Sequence, residues 1–170
     1  CRRRRRRRRW PRTASPRGTP QTSLERLSAH SGGLLALTGD ARGPLVRALA
    51  RDDEPRALTI LGRLVEIFGR DHLRVEVGDH HLPWERLLAE RLVTLSRRSG
   101  VDWVPAQGAR YAQRADACAY DVLTCLRHQV TLEDAGERLL PNAEWGLKSP
   151  EEMAALFSGD EAAIARTIEV

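Results

Sequence analysis

Three short apolar runs, each followed by a loop rich in glycine and polar residues, divide the chain into repeating units. Residues 34–38 and 101–105 are mostly apolar, and residues 73–77 alternate between apolar and charged side chains. Apolar runs of this length predict β-strands, and strict alternation indicates a strand that is buried on one face only. We therefore expect a buried first strand and a half-buried second strand. Because helical periods separate the runs, the pattern predicts parallel strands joined by helices.

The stretches between and after these runs predict amphipathic helices, which begin at polar or proline residues and end at glycines. The first two begin after the cap residue Ser23 and at Pro44. A third helix opens at residues 53–55 and ends at Gly69, and its predicted core face consists of Leu58, Leu61, Leu64, Val65 and Phe68. The remaining predicted helices span residues 84–98 and 114–128, followed by short ones after the caps Thr131 and Ser149.

Charge separates the first residues from the rest of the chain. The 170 residues carry a formal charge of +5, but residues 1–17 hold ten arginines and no acidic residue, so the other 153 residues carry −5. Such a segment, interrupted by prolines, cannot bury apolar area, and we expect a disordered tail over 1–22 and one domain over 23–170. A poly-arginine run can bind nucleic acid through phosphates without reading sequence. The alternative is a low-complexity or misread upstream segment without function. The candidate nucleic-acid-binding residues are Arg2, Arg3, Arg4, Arg5, Arg6, Arg7, Arg8 and Arg9.

Composition excludes several classes of protein. The chain has no run of about 18 apolar residues that could cross a membrane, and no apolar segment follows the arginines as in a secretory signal. We therefore expect a cytoplasmic protein without a membrane partner. Its three cysteines are too few for a disulfide framework or a four-ligand zinc site. The start at Cys1 instead of Met leads us to expect a fragment of a longer protein.

Seven motifs, in order and with matching gaps, resemble the later part of the PHP (polymerase and histidinol phosphatase) domain of the bacterial DNA polymerase III alpha subunit. The clearest lie in 27–39, which contains Leu-Leu-Ala-Leu-Thr-Gly, in 67–77, which contains Phe-Gly-Arg-Asp-His-Leu-Arg-Val-Glu-Val, and in 117–127, which contains Ala-Tyr-Asp-Val-Leu-Thr-Cys-Leu-Arg. The other four lie in 79–83, 100–111, 147–157 and 164–169, and the resemblance covers residues 23–170. The error-prone polymerases of the same family fit at least as well. This resemblance implies the C-terminal portion of a PHP-type distorted (β/α)7 barrel, an α/β fold, followed by short helices.

The resemblance also implies where a metal site would lie. Active PHP domains of this family bind divalent metal ions through His, Asp, Glu and Cys side chains at the ends of barrel strands. Three of the family's ligand positions fall within this chain, and they are occupied by Asp40, Gly108 and Arg110. Glycine has no side chain and arginine is a permanent cation. We therefore predict a degenerate metal site, no catalytic residue and no cofactor in this segment.

Other groups of polar and sulfur-containing residues have more ordinary explanations. Asp79, His80 and His81 form the only local cluster with metal-ligand chemistry, but adjacent loop residues rarely reach one ion, and we expect a solvated loop. Cys118 and Cys125 lie seven residues apart, on one predicted helical face, where packing is favoured over a redox role. The acidic pairs Asp116 with Asp121 and Glu151 with Glu152 suit helix starts better than acid and base catalysis.

Two functions from different classes follow. The first is a segment of a C-family DNA polymerase, acting in DNA replication or error-prone repair synthesis, in which the PHP module is structural and the polymerase active site lies elsewhere. The resemblance then implies DNA as a partner through the parent polymerase, the polymerase core in cis, and a sliding clamp and proofreading exonuclease. The alternative is a stand-alone protein that associates with nucleic acid through its arginine tail. The body's negative charge and 5% aromatic content argue against a DNA-binding face of its own. A free-standing phosphoesterase would need ligands that the resemblance places upstream.

Overall fold

Three parallel strands form the centre of the fold. The computed structural model describes residues 21–170, and the predicted tail therefore lies almost wholly outside the described residues. The strands are β1 (Ala36–Leu37), β2 (Leu73–Val77) and β3 (Trp103–Pro105), in the order β1-β2-β3. Ala36 pairs with Leu73, and Val75 pairs with Trp103. The predicted parallel sheet is thus confirmed, as a small sheet in a mostly helical α/β fold; among the described residues the strands form no closed barrel.

Eight helices surround or follow the sheet in the described part of the chain. In chain order they are α1 (Leu24–Ser28), α2 (Pro44–Leu49), α3 (Glu54–Phe68), α4 (Pro83–Ser99), α5 (Ala117–His128), α6 (Leu132–Ala135), α7 (Pro150–Leu156) and α8 (Glu161–Arg166). The crossover from β1 to β2 contains α2 and α3, and the one from β2 to β3 contains α4. No helix among residues 21–170 is both long and apolar enough to span a membrane.

Local sequence signals explain most helix boundaries. The side chain of Ser23 accepts a hydrogen bond from the Arg26 amide, and Ser149 forms a complete capping box with Glu152. Helix α3 starts after Asp53, whose carboxylate accepts from the Arg56 amide, and it ends at Gly69, where φ is 76°. The predicted helices are confirmed within one to three residues of their ends, because these signals act through neighbouring backbone groups.

Burial corrects two predictions about the strands. The first was expected over 34–38 as a buried run, but only Ala36 and Leu37 are in β1, and Leu37 is 37% exposed. β1 lies at the edge of the sheet, which leaves one of its sides without a neighbour. Conversely, β2 was expected to be half-buried and is buried on both faces, with even Arg74 only 8% exposed. A central parallel strand is covered by elements on both sides of the sheet, so charge alternation does not report exposure there.

The core lies between the sheet and helices α2, α3 and α4, and it is closed by α8. Leu45, Leu61, Leu73 and Val75 are at most 1% exposed. On α3 the predicted core face is confirmed except at its first position, where Ala57 is fully buried and Leu58 is 38% exposed. The other four predicted residues lie in the core or pack against it: Leu61, Leu64, Val65 and Phe68. The C-terminus returns to the sheet through two ion pairs, Arg166 with Asp102 and Arg74 with Glu169.

Candidate functional site at the carboxyl end of the sheet

The carboxyl ends of the three strands meet at a cavity of about 390 Å³. The segments that follow β1, β2 and β3 contribute its polar wall, which includes Asp40, Glu76, His80, Gln107 and Arg110. Helix α4 and residues 139–145 contribute most of its apolar wall. Loops at the carboxyl ends of parallel strands are the usual place for ligands in α/β proteins, since the strands hold side chains of distant sequence positions together.

The turn after β1 sets the position of Asp40. Gly39 has φ of 91°, and the Gly43 amide donates to the Asp40 carbonyl over 2.7 Å. The Asp40 carboxylate accepts from the Arg42 amide at 2.9 Å, as in an Asx turn. A Cβ on Gly43 would lie 2.9 Å from the Asp40 carbonyl oxygen, so the turn needs glycine at this position. The carboxylate is thereby held at the mouth of the cavity.

Arg110 faces Asp40 across this mouth. Its Nη2 lies 3.5 Å from Asp40 Oδ2, and both side chains are about two-fifths exposed. Gly108 lies in the loop after β3, two residues before Arg110, and has φ of 53°. The structure thus brings together the three residues that the resemblance predicts at degenerate ligand positions. A guanidinium beside the carboxylate occupies the place of a cation, so this donor set does not fit a divalent metal ion.

Glu76 is the acidic residue on the inner wall of the cavity. It is half-buried and has no ion-pair partner in the part of the chain that the structure describes. Burial, together with the nearby Asp40 charge, raises the pKa of Glu76, while a hydrogen bond from the Gly39 backbone opposes this shift. The Glu76 amide donates to Thr38 Oγ1 at 3.0 Å, which ties β2 to the turn after β1.

His80 is buried, which contradicts the prediction of a solvated loop. It is 8% exposed, and its ring stacks on Trp145 with centroids 3.9 Å apart and planes 11° from parallel. Its Nδ1 lies 2.9 Å from Glu85 Oε1 and its Nε2 lies 2.8 Å from the Gln107 carbonyl oxygen. Only His81, whose side chain is 60% exposed, conforms to the prediction. Sequence patterns missed Trp145, Glu85 and Gln107 because no local signal links residues up to 65 positions apart.

A second, larger groove of about 940 Å³ lies beside the cavity and contains the Glu144 carboxylate. Lys148 Nζ and Arg114 Nη1 each lie 2.8 Å from it, and His81 Nε2 lies at 4.0 Å. The hydrogen bond from Lys148, aided by these positive charges, lowers the pKa of Glu144 despite its burial. One carboxylate thus holds Lys148 and Arg114 together on this side of the groove.

The remaining candidate residues within the described part of the chain have structural roles. Cys125 is buried, with Sγ 3.7 Å from the Thr131 carbonyl, but Cys118 is exposed, so the predicted packing is wrong for Cys118. The two cysteines differ in burial because few elements pack against α5. Asp116 accepts from the Gln113 amide and Glu152 from the Ser149 amide, as expected for helix starts. Among residues 21–170, no three His, Cys, Asp or Glu side chains come together as a metal site.

Comparisons with known proteins agree with the order of motifs. The DNA polymerase III alpha subunit of Treponema pallidum is 29% identical over 89% of this chain, and that of Thermus aquaticus is 30% identical over 84%. The error-prone DNA polymerase of Anaeromyxobacter dehalogenans is 35% identical over 86% of the chain. The chain spans only 13%, 12% and 12% of the lengths of these three relatives. No family model matches the chain.

These similarities show that the chain is related to bacterial DNA polymerases. More particularly, it is homologous to one segment of the DNA polymerase III alpha subunits and of the error-prone DNA polymerases. The resemblance to these two kinds of polymerase is therefore confirmed, and both are represented among the relatives. The assignment of the segment to the PHP domain stays a prediction.

Proposed function

We propose that this chain works as a structural segment of a DNA polymerase of the alpha-subunit or error-prone type, in DNA replication or error-prone repair synthesis. The observation that carries this proposal is the identity of 29 to 35% over at least 84% of the chain, against 12 to 13% of each relative's length. Nucleotidyl transfer would then be performed by other parts of the polymerase, which acts on DNA.

The same proposal assigns the three strands to the C-terminal portion of a PHP-type barrel. Parallel pairing, helical crossovers and a cavity at the carboxyl ends of the strands support this assignment. The edge strand β1 also supports it, since Leu37 in the strand and Leu35 just before it are 37% and 36% exposed and would be covered by a further strand or helix.

The geometry around Asp40 supports a site without metal chemistry. Arg110 pairs with the carboxylate, and Gly108 offers no ligand. Titration of the chain with Zn²⁺ or Mn²⁺ in a calorimeter should give no stoichiometric tight binding. His81→Gln serves as a control for weak binding to an exposed imidazole. One equivalent bound tightly by the wild type and lost in Asp40→Asn would overturn this part of the proposal.

An apolar face on α5 supports packing against the rest of the polymerase. Val122, Leu123 and Leu126 are 43%, 63% and 68% exposed, and the main contacts of α5 are with α6 and with the turn at Arg114–Asp116. Exposed apolar side chains in one patch mark contact surfaces. The relatives extend far beyond the length of this chain, so a polymerase core in cis has the chemistry and size to cover the face.

A binding experiment tests this packing. The chain is mixed with the Anaeromyxobacter dehalogenans error-prone polymerase from which the matching segment has been removed, and complex formation is followed by size exclusion. We expect a complex that Leu123→Gln with Leu126→Gln weakens at least about tenfold, because two apolar side chains lose their partner surface. Leu87→Gln on α4, which is 61% exposed, should leave it unchanged. Equal weakening by all variants would contradict a role for α5.

Two implied interactions stay predictions. The resemblance implies a sliding clamp and a proofreading exonuclease as partners of the whole polymerase. Nucleic-acid binding by Arg2–Arg9 concerns residues outside those that the structure describes. If the arginines bind DNA, the affinity of the chain should fall steeply with salt, and removal of residues 1–17 should abolish it.

A further inference from the structure

Residues 139–148, here called the covering segment, close one side of the cavity without regular secondary structure. Leu139, Leu140, Pro141 and Trp145 form part of the cavity wall. Two backbone hydrogen bonds attach the segment to the loop after β3: the Arg110 amide donates to the Trp145 carbonyl at 2.8 Å, and the Leu147 amide donates to the Tyr111 carbonyl at 3.0 Å. Such a short ladder needs further contacts to hold the segment in place.

His80 supplies those contacts from the loop after β2. Trp145 stacks on its ring, and Asn142 Nδ2 donates to its carbonyl at 2.7 Å. On the other side, the His80 amide donates to Glu85 Oε2 at 2.6 Å. One residue thus joins the covering segment to helix α4 and, through its Nε2, to the Gln107 carbonyl after β3.

Both ring nitrogens of His80 face hydrogen-bond acceptors. Nδ1 lies beside the Glu85 carboxylate, and Nε2 lies beside the Gln107 carbonyl. A neutral imidazole has one N–H, so one nitrogen would then direct a lone pair at an oxygen less than 3 Å away. The imidazolium donates to both oxygens, and its charge is attracted to the face of the Trp145 ring.

We propose that protonated His80 is a latch that holds the covering segment over the cavity, and that loss of the ring proton loosens this segment. The inference rests on the geometry around His80 and does not depend on the polymerase assignment. It differs from the degenerate metal positions, because none of Asp40, Gly108 or Arg110 contacts the ring.

The charges that face His80 favour the protonated ring. Glu85 on α4 and Asp79 on its own loop are acidic, whereas the groups from the covering segment, the Trp145 ring and the Asn142 amide, are neutral. Burial lowers the pKa of His80, but the bonds to Glu85 and Gln107 and the two acidic charges outweigh burial and raise it above its ordinary value. The stabilisation is therefore complete below about pH 6.5 and is lost as the pH rises through the raised pKa.

Ring ¹⁵N spectra of the full 170-residue chain test the protonation state. We expect both nitrogens of His80 to carry protons at about pH 6.5, where half of an ordinary histidine is neutral. In Glu85→Gln the carboxylate is lost while the ring is kept, and the pKa of His80 should fall. A neutral His80 ring at about pH 6 in the wild type would overturn the proposal.

Hydrogen exchange tests the latch itself. The amides of Arg110 and Leu147 report attachment of the covering segment, and those of Thr38 and Val75, which donate to Arg74 and Asp102, report the sheet. Between about pH 6 and pH 9, protection at the first two amides, corrected for intrinsic rates, should fall at least about tenfold, as expected for loss of one charged hydrogen bond. Protection at Thr38 and Val75 should stay constant.

Variants separate the latch from general unfolding. His81→Gln, on the neighbouring exposed residue, should keep the pH dependence of the Arg110 and Leu147 amides. Glu85→Gln should move the loss of protection to lower pH, and His80→Gln should make protection low at every pH. Protection that is independent of pH in the wild type, or that falls together at all four amides, would overturn the proposal.

Discussion

Two regions of the molecule bury the same types of residue to different extents. One is the sheet layer, which consists of the three strands with α2, α3, α4 and α8, and the other is the helical lobe, residues 114–135. In the sheet layer, Leu45, Leu61 and Val75 are at most 1% exposed, since helices and strands cover them from several directions. In the lobe, Leu123 and Leu126 of α5 are 63% and 68% exposed, and Cys125 is the buried residue of that helix. Both regions have helices with regular apolar spacing. The spacing therefore makes a helix amphipathic, but a neighbouring element is needed to bury its apolar face.

The contrast also separates covered from uncovered apolar surface. Helix α8 and the ion pairs of Arg166 and Arg74 hold the C-terminal residues against the sheet layer. The lobe presents apolar surface outward, which agrees with relatives that are much longer than this chain. We expect substitutions in the sheet layer to change stability and substitutions on the lobe to change association.

The largest expected difference is between two leucine truncations. Leu61→Ala should lower the free energy of unfolding by about 2 to 5 kcal/mol, because it leaves a cavity between α3 and the sheet. Leu126→Ala should change it by no more than about 0.5 kcal/mol. Urea unfolding followed by circular dichroism measures both. Similar losses in the two variants would show that the lobe is packed as tightly as the sheet layer.

A second test concerns the turn that holds Asp40. Gly43→Ala should lower the free energy of unfolding by about 1 to 3 kcal/mol, since the added Cβ would meet backbone atoms at 2.9 to 3.2 Å. Gly62→Ala is the matched control at an exposed position of α3, where no atom lies within 4 Å of the added Cβ. It should stabilise the protein by about 0.5 to 1 kcal/mol. Thermal or urea unfolding distinguishes these opposite signs. If Gly43→Ala leaves the free energy of unfolding unchanged, the backbone of the turn can move enough to accommodate the added Cβ.

A third test removes a helix cap from the lobe. Thr131 Oγ1 accepts from the Asp134 amide at the start of α6, and Thr131→Ala should cost about 1 kcal/mol. Because the lobe has few contacts with the sheet, this loss should appear as faster hydrogen exchange in α6, while amides of β2 stay protected. Thr59→Ala on α3 is the control without a cap. Equal loss of protection in β2 would show that the two regions unfold together.

The smallest effect is expected for the ion pair at the cavity mouth. Asp40 and Arg110 are partly exposed, so their double-mutant cycle, with Asp40→Asn and Arg110→Gln, should give a coupling of about 0 to 1 kcal/mol. Unfolding in low and high salt measures the coupling and its screening. A coupling well above this range would indicate that the pair makes an important contribution to the stability of the turn.

Local features of the site could be predicted, whereas its contacts could not. The loops after the three strands follow from the order of motifs, and the structure places Asp40, Gly108 and Arg110 of these loops around one cavity. The stack of His80 on Trp145 and the positions of its two ring nitrogens beside Glu85 and Gln107 do not follow from that order, because these partners come from separate elements. Adjacent polar residues suggested a solvated loop, whereas α4, the loop after β3 and the covering segment together bury His80.

By itself, the sequence determined the helix starts at Ser23 and Ser149, the end of α3 at Gly69 and the alternation of strands and helices. These depend on backbone groups a few residues away and on apolar periodicity. Only the tertiary structure decided that β2 is buried on both faces, that Ala57 replaces Leu58 in the core and that His80 lies under Trp145. Burial is a property of neighbours in space, and a chain specifies those neighbours only once all of its elements have packed together.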